Sequence, residues 1–177
     1  YYSADKIICA DGGARHLYNE GLMPDIIIGD LDSIDGKTLD EYQKQGVEFI
    51  KHPINKSKSD TDLALDYAIE NGADEIVLLG ATGSRLDHSL ANILILYRLA
   101  SLNINARIID KHNEVFITKD TLKIDNKQDH FVSVIPLIDS KVTLKGFKYD
   151  TSSVEFKLGS TLGISNEVED NEALIKV

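Results

Sequence analysis

Over roughly the first 110 residues, short runs of Ile, Val and Leu alternate with stretches of about 10 to 15 residues carrying apolar side chains at helical spacing. That alternation is the rhythm of βαβ units, and it constrains the fold more tightly than any other feature of the chain: it calls for a parallel sheet with crossover helices. Strands are expected at Lys6–Ala10, Asp25–Ile28, Val47–Lys51, Glu75–Leu79 and Ala106–Asp110. Helices are expected over Ala14–Glu20, Thr38–Gln45, Thr61–Glu70 and Leu86–Ser101, the last with Leu90, Ile93, Leu94 and Tyr97 on one face. Gly21, Gly46 and Gly72 each follow a helical stretch, where a left-handed C-cap suits a residue without Cβ.

Beyond Lys111 the texture changes to short β-rich runs, Val115–Thr118, Phe131–Ile135, Val142–Leu144, Val154–Phe156 and Ala173–Val177, separated by Asp, Asn, Gly and Ser. The expected architecture is therefore α/β: a Rossmann-like parallel-sheet domain over residues 1–111, then a small antiparallel β-sandwich over 112–177. So short a second half has little material for a core of its own and is expected to lean on the first half or on a second chain.

With 29 acidic against 19 basic residues and a formal net charge of -10, the chain offers no broad basic surface for a nucleic-acid backbone. An acidic protein that handles polyphosphates needs a cation such as Mg2+ between its carboxylates and the ligand. The single cysteine, Cys9, lies in an apolar run, which suits a buried small hydrophobe and a reducing, cytoplasmic setting. The longest apolar runs, such as Ile93–Leu96, fall far short of the ~20 residues of a membrane helix. The opening Tyr1–Asp5 has no charged-then-apolar leader pattern.

Four polar clusters fall after predicted strands: Asp11-Gly12-Gly13, Gly29-Asp30-Leu31-Asp32-Ser33, Ser59-Asp60-Thr61-Asp62 and Gly80-Ala81-Thr82-Gly83-Ser84-Arg85-Leu86-Asp87-His88. All four belong to the carboxyl edge of the strands, where open α/β sheets bind ligands. Asp30 and Asp32 stand two residues apart, and such a pair repels unless a cation or proton lies between; a hard divalent ion with oxygen ligands is the economical solution. Gly12, Gly13, Gly80 and Gly83 let backbone N–H groups approach a ligand, and Gly80–Gly83 leads into the N-terminus of a long helix. Arg85 suits a phosphate fork and Lys58 a further point charge, although both also suit a solvated face.

Plainer readings stand beside these. Asp11-Gly12 fits simple turn chemistry, Asp60 or Thr61 fits a helix N-cap, and Ser84 with Asp87 fits a capping-box variant. Neither the P-loop nor G-x-G-x-x-G is present, the five histidines lack metal-ligand spacing, and no G-x-S-x-G elbow appears. Carboxylates, glycines, an arginine and Mg2+ remain, the equipment of phosphoryl or nucleotidyl transfer.

In order, Asp11-Gly12-Gly13-Ala14, Gly29-Asp30-Leu31-Asp32-Ser33, Thr61-Asp62, Gly80 through His88, and Gly159-Ser160 through Gly163-Ile164-Ser165-Asn166-Glu167 resemble the motifs of the thiamine pyrophosphokinases. The resemblance spans nearly the whole chain. It implies a Mg2+-dependent enzyme that moves diphosphate from ATP to the hydroxyl of thiamine, giving thiamine diphosphate and AMP, and a homodimer with active sites between chains. By this likeness Asp30, Asp32 and Asp62 hold Mg2+. Asp32, Asp62, Arg85 and Asp87 are catalytic, and Asp11, Gly12, Gly13, Thr61, Gly80, Thr82 and Gly83 line the ATP side. Asp87, His88, Ser165 and Asn166 seat thiamine. The chain departs from the pattern at Arg15-His16, where the family more often has Asn-Arg, and at Ser59, where an Asp often follows the Lys. Some members stack thiamine on an indole; this chain has no Trp, so a Tyr, Phe or aliphatic residue has to replace it. Two other readings of the residues remain: a D-x-D nucleotide-sugar transferase, and a non-catalytic thiamine- or nucleotide-binding module.

Overall fold

Three consecutive isoleucines, Ile26, Ile27 and Ile28, are all sealed from solvent, as expected for a strand covered on both faces in a parallel sheet. The computed structural model describes residues 4–53 and 57–177. The start of the segment inspected above for a leader, Tyr1–Ser3, lies outside the described residues. Two compact units divide the chain, one ending at Phe116 and the other Ile117–Val177.

In the first unit, β1 (Ile8–Ala10), β2 (Ile26–Gly29) and β3 (Glu48–Lys51) form a parallel sheet with β2 in the middle, pairing Ala10 with Ile28 and Ile28 with Ile50. A second sheet holds β4 (Glu75–Leu79), β5 (Asn105–Ile109) and β6 (Glu114–Phe116), parallel between β4 and β5 and antiparallel between β5 and β6. The crossovers are α1 (Gly13–Asn19), α2 (Gly36–Lys44), α3 (Asp60–Glu70) and α4 (Leu86–Ser101), with α3 lying on β1 and β2 and α4 on β5. Cys9, Ala14, Ile27, Ile34, Tyr42 and Val47 form the core between the first sheet and its helices. Burial pushes the Cys9 thiol up to about 12, with a smaller contribution from nearby Asp11, so it is inert packing and no nucleophile. Gly21, Gly46 and Gly72 all have the left-handed φ expected of them.

One run lies elsewhere than expected. Val115–Thr118, expected to open the β-rich half, instead gives its first residues to β6, which folds back on β5 by pairing Glu114 with Ile109 and Val115 with Ile108. The expected division at 111/112 thus falls within the β5–β6 hairpin.

In the second unit, β7 (Thr121–Asp125), β9 (Ser140–Lys145), β10 (Thr151–Phe156) and β12 (Glu172–Lys176) form an antiparallel sheet of order β10-β9-β12-β7. A second sheet pairs β8 (Phe131–Val132) with β11 (Asn166–Glu167). Val142, Leu144, Phe156, Ala173 and Ile175 meet Val168, Val132 and Val134 in one core, the interior of a small sandwich. The strands β7 and β11 lacked a readable pattern. Polar residues take the outward positions of β7, leaving only Leu122 and Ile124 to mark it, and β11 has just two residues.

Candidate active site

Ala10 and Ile28 are Cα partners on neighbouring parallel strands, so the residues that follow them leave the sheet side by side. Asp11, Asp30 and Asp32 consequently bring one carboxylate oxygen each to within 4.8 Å of one another. Asp11 is the buried member, Asp30 half-buried and Asp32 exposed. The loops that carry them are locked locally: Asp11 Oδ1 accepts from the Leu31 backbone N–H at 3.1 Å, Asp30 Oδ1 from Asp32 N–H at 3.2 Å, and Asp32 Oδ1 from the Ser33 hydroxyl at 3.1 Å. Asp11 and Leu31 both have positive φ, at 32° and 68°, conformations that cost L-residues energy and gather at functional sites.

Gly29 makes this approach possible. A Cβ there would lie 2.7 Å from the Asp11 Cβ and 3.2 Å from Asp60 Oδ1, so the absence of a side chain lets the first, second and third clusters converge. A Cβ at Gly12 would lie 3.4 Å from the Ser33 Cβ and one at Gly13 3.1 Å from Cys9 Sγ, so the Asp11 turn has little room for side chains at either position. Three carboxylates this close, all hard oxygen donors, suit a divalent cation such as Mg2+. Asp11, expected on the nucleotide side, stands with the acids because its strand pairs in register with the one that leads to Asp30.

Other expectations need correcting in detail. Asp62, expected beside Asp30 and Asp32, is outside that close group: its Oδ1 faces Arg98 Nη2 at 3.3 Å and its Oδ2 accepts from the Ser59 hydroxyl at 3.2 Å. Ser59, rather than Asp60 or Thr61, caps α3, accepting from Asp62 N–H at 3.1 Å, because the cap sits one residue before the helix begins. Thr61 stands half-buried in the first turn of α3. Lys58 reaches Asp66 at 2.5 Å, so its ammonium is committed to a structural ion pair.

The fourth cluster is built on its own sheet. Gly80 has a φ of 66° after β4, and the loop is tied to α4 by Asn92 Nδ2 donating to the Ala81 carbonyl at 2.7 Å. Gly83 N–H, expected to face a ligand, donates to buried Ser89 Oγ at 3.0 Å. Thr82 Oγ1 donates to Asp110 Oδ2 at 2.9 Å, and Asp110 also accepts from His112 N–H at 2.8 Å and Asn113 N–H at 2.7 Å. These bonds, led by that from His112, hold the Asp110 carboxyl down at about 2. No capping box forms from Ser84 and Asp87. Instead Arg85 forks onto Asp87 at 2.9 and 2.6 Å, and the fork holds the Asp87 carboxyl well below the usual range. Both side chains are exposed, as is His88 beside them on α4.

In the second unit, Ser165 has a positive φ of 58° and donates its N–H to Ser133 Oγ at 3.1 Å. Asn166 is buried and spends its amide on backbone, accepting from Tyr149 N–H at 3.1 Å and Glu167 N–H at 3.0 Å and donating to the Tyr149 carbonyl at 2.9 Å. Its observed work is therefore to fix Tyr149, whose side chain is 65% exposed. A side chain at Gly163 would overlap the Val134 carbonyl oxygen and the Phe156 ring, so this turn admits only glycine.

Residues 1–108 match the family model described as thiamin pyrophosphokinase, catalytic domain, and residues 119–177 that described as thiamin pyrophosphokinase, vitamin B1 binding domain. The chain is 38% identical over 167 residues to thiamine pyrophosphokinase of Bacillus subtilis, covering 91% of this chain and 77% of the relative. It is 27% identical to thiamine pyrophosphokinase 1 of Arabidopsis thaliana, covering 96% and 73%. Among solved structures, thiamine pyrophosphokinase from Bacillus subtilis superposes with a TM-score of 0.87 at 34% identity, covering 96% of this chain and 81% of that one. Thiamin pyrophosphokinase from Geobacillus thermodenitrificans gives 0.82 at 31%, covering 96% and 80%. Two domain models that together span most of the chain, and relatives this similar over most of their length, establish that the chain belongs to the thiamin pyrophosphokinase family.

Proposed function

We propose that this chain transfers the diphosphate group of ATP to the hydroxyl of thiamine, giving thiamine diphosphate and AMP with a requirement for Mg2+. The observation that carries the proposal is the convergence of Asp11, Asp30 and Asp32 to within 4.8 Å at the carboxyl edge of a parallel sheet in a member of this family. These three would hold the cation, with Asp62 as a further carboxylate on α3. When bound, Mg2+ neutralises charge on the phosphate oxygens and orients them.

In the reaction the thiamine oxygen forms a bond to the β-phosphorus, the bond from that phosphorus to the α,β-bridging oxygen breaks, and AMP departs with the bridging oxygen. The hydroxyl proton must pass to a base. Asp87 is a weak acceptor while Arg85 remains forked onto it, so its work is to aim the guanidinium, whose charge suits the transferring phosphates. Gly12, Gly13, Thr61, Gly80, Thr82 and Gly83 shape the loops of the nucleotide side. Ser165 and Asn166 build the thiamine side indirectly, by setting the turn on which Tyr149 is presented. Tyr149 is exposed and its backbone is held by Asn166, and a flat cationic heterocycle would stack on its ring favourably.

We place the protein as a homodimer in the cytoplasm. Leu86, Leu90, Leu94 and Tyr97 form an exposed apolar stripe along α4, the kind of surface a second copy covers, and the lone cysteine is buried. Among the described residues, no helix is long and apolar enough to cross a membrane.

The test is incubation with ATP, Mg2+ and thiamine, with and without EDTA, followed by mass spectrometry of the products. Equal AMP and thiamine diphosphate, both lost with EDTA, is the expected result. Thiamine monophosphate with ADP would replace the reaction by γ-phosphoryl transfer. Thiamine binding without any product would reduce the protein to a binding module.

A further inference from the structure

Leu31 stands between Asp30 and Asp32, the two acids that bring carboxylate oxygens into the close group with Asp11. Its own side chain is half-buried and packs against the core between the first sheet and its helices. Its φ is 68°, in the left-handed region that residues with a bulky side chain seldom enter. In that conformation the Leu31 N–H donates to Asp11 Oδ1 at 3.1 Å, and the Asp30 carboxylate reaches past Leu31 to accept from the Asp32 N–H at 3.2 Å. The turn at Leu31 is thus tied to all three acids.

A leucine at such a φ needs a reason, because glycine would adopt the same conformation without steric cost. The hydrogen bonds do not supply one: they use backbone N–H groups that glycine also carries. What leucine adds is the side chain seated in the core, and a strained backbone persists only where its surroundings over-determine it. We infer that Leu31 is a positioning residue for the cation site, its seat in the core holding the left-handed turn that keeps Asp11, Asp30 and Asp32 together. The inference rests on the reading of those three acids as the ligands of Mg2+. Groups that orient metal ligands from behind typically contribute roughly 10- to 100-fold to metal affinity or activity.

Titration with Mn2+, followed by its paramagnetic signal in the absence of substrates, tests this on the full chain, each variant being held below its own thermal midpoint. Leu31→Gly keeps the N–H and relieves the torsion but has nothing to seat in the core. It should bind Mn2+ roughly 10- to 100-fold more weakly than wild type. Leu31→Met, with an apolar chain of similar volume, should bind close to wild type. Leu39 packs against the same core from α2, so Leu39→Ala should lower the thermal midpoint and leave Mn2+ affinity unchanged. Wild-type affinity in Leu31→Gly overturns the inference and leaves the metal reading standing. A loss in Leu31→Met as large as in Leu31→Gly overturns it too, as does an equal loss in Leu39→Ala, which would make the effect a general loosening of the core. A wild-type chain that binds no Mn2+ removes the metal reading itself, and the role of Leu31 goes with it.

Discussion

Asn166 grips Tyr149 from both sides: its Oδ1 accepts the Tyr149 N–H at 3.1 Å and its Nδ2 donates to the Tyr149 carbonyl at 2.9 Å. A buried amide bonded to both backbone groups of an exposed aromatic residue fixes the stretch of main chain from which that ring projects. Asn166→Ala leaves these backbone groups and the Glu167 N–H without their partner, a loss of about 1–3 kcal/mol. A lower thermal midpoint and a raised thiamine KM, with ATP KM unaffected, are expected. Tyr149→Phe should keep thiamine affinity and Tyr149→Ala should lose it, if the ring face is what the substrate meets.

Gly29→Ala should damage the site more than the fold. The new methyl would lie 2.7 Å from the Asp11 Cβ and 3.3 Å from its Cα, and the backbone φ of 157° disfavours a side chain. Overpacking of this kind costs about 1–3 kcal/mol, a modest change in the midpoint of chemical unfolding. Displacement of Asp11 by even a fraction of an ångström should lower kcat on the order of 100-fold, measurable by AMP release. Gly21→Ala, at a positive φ remote from the acids with open space for the methyl, is the control: some loss of stability, normal turnover.

Asp110 gives the loop after β4 a pH dependence. Its carboxyl is held at about 2 against an ordinary 3.8, first by the His112 N–H and then by Asn113 and Thr82. The folded form is thus favoured by ionisation, with that contribution intact above pH 4 or so and lost as pH falls through the window from 3.8 to about 2. Asp110→Asn should flatten the fall of the thermal midpoint across this window and leave it unchanged near neutrality. A variant whose midpoint follows wild type throughout would show that the Thr82–Asp110 bond contributes nothing to the loop.

The apolar stripe on α4 makes a separate prediction. Leu90 and Leu94 are one turn apart and 53% and 46% exposed, so a charge at either position is compatible with the folded chain. Wild type should sediment as the dimer proposed above, and Leu90→Glu combined with Leu94→Glu as a monomer with the circular dichroism spectrum retained. Retention of the dimer would move the interface elsewhere.

The sequence carried the first unit well, because short buried runs such as Ile26–Ile28 and amphipathic stretches such as Leu86–Ser101 announce their own periods. It also placed Asp30 and Asp32 at the right edge. What it could not supply were the pairings that depend on side-chain direction. Asp60 and Asp62 lie two residues apart on a helix and so face different ways: Asp60 toward Gly29, Asp62 toward Arg98, a residue thirty-six positions later. Likewise Ser89 and Asn92 looked like ordinary helix residues, and only the fold shows them tying down Gly83 and Ala81. β6 carries no sign in its sequence of which half it joins, because a hairpin return onto a parallel sheet has the same local texture as the first strand of a sandwich.

Asp32 separates chemistry from folding most cleanly. It is exposed, and among the described residues its carboxylate meets the Ser33 hydroxyl at 3.1 Å and the other two acids of the cluster. Asp32→Asn therefore removes a charge that the fold does not need, and relief of like-charge repulsion should leave the metal-free thermal midpoint equal or slightly raised. Wild type should gain stability on addition of Mg2+, since a ligand that binds the folded state alone stabilises it by RT ln(1 + [L]/Kd). In Asp32→Asn that gain should shrink sharply and turnover should vanish. Scanning calorimetry with and without Mg2+, beside the AMP assay, reads both. A variant that keeps near-normal activity, or the full Mg2+ gain, would remove Asp32 from the cation site and leave Asp11 and Asp30 to hold it.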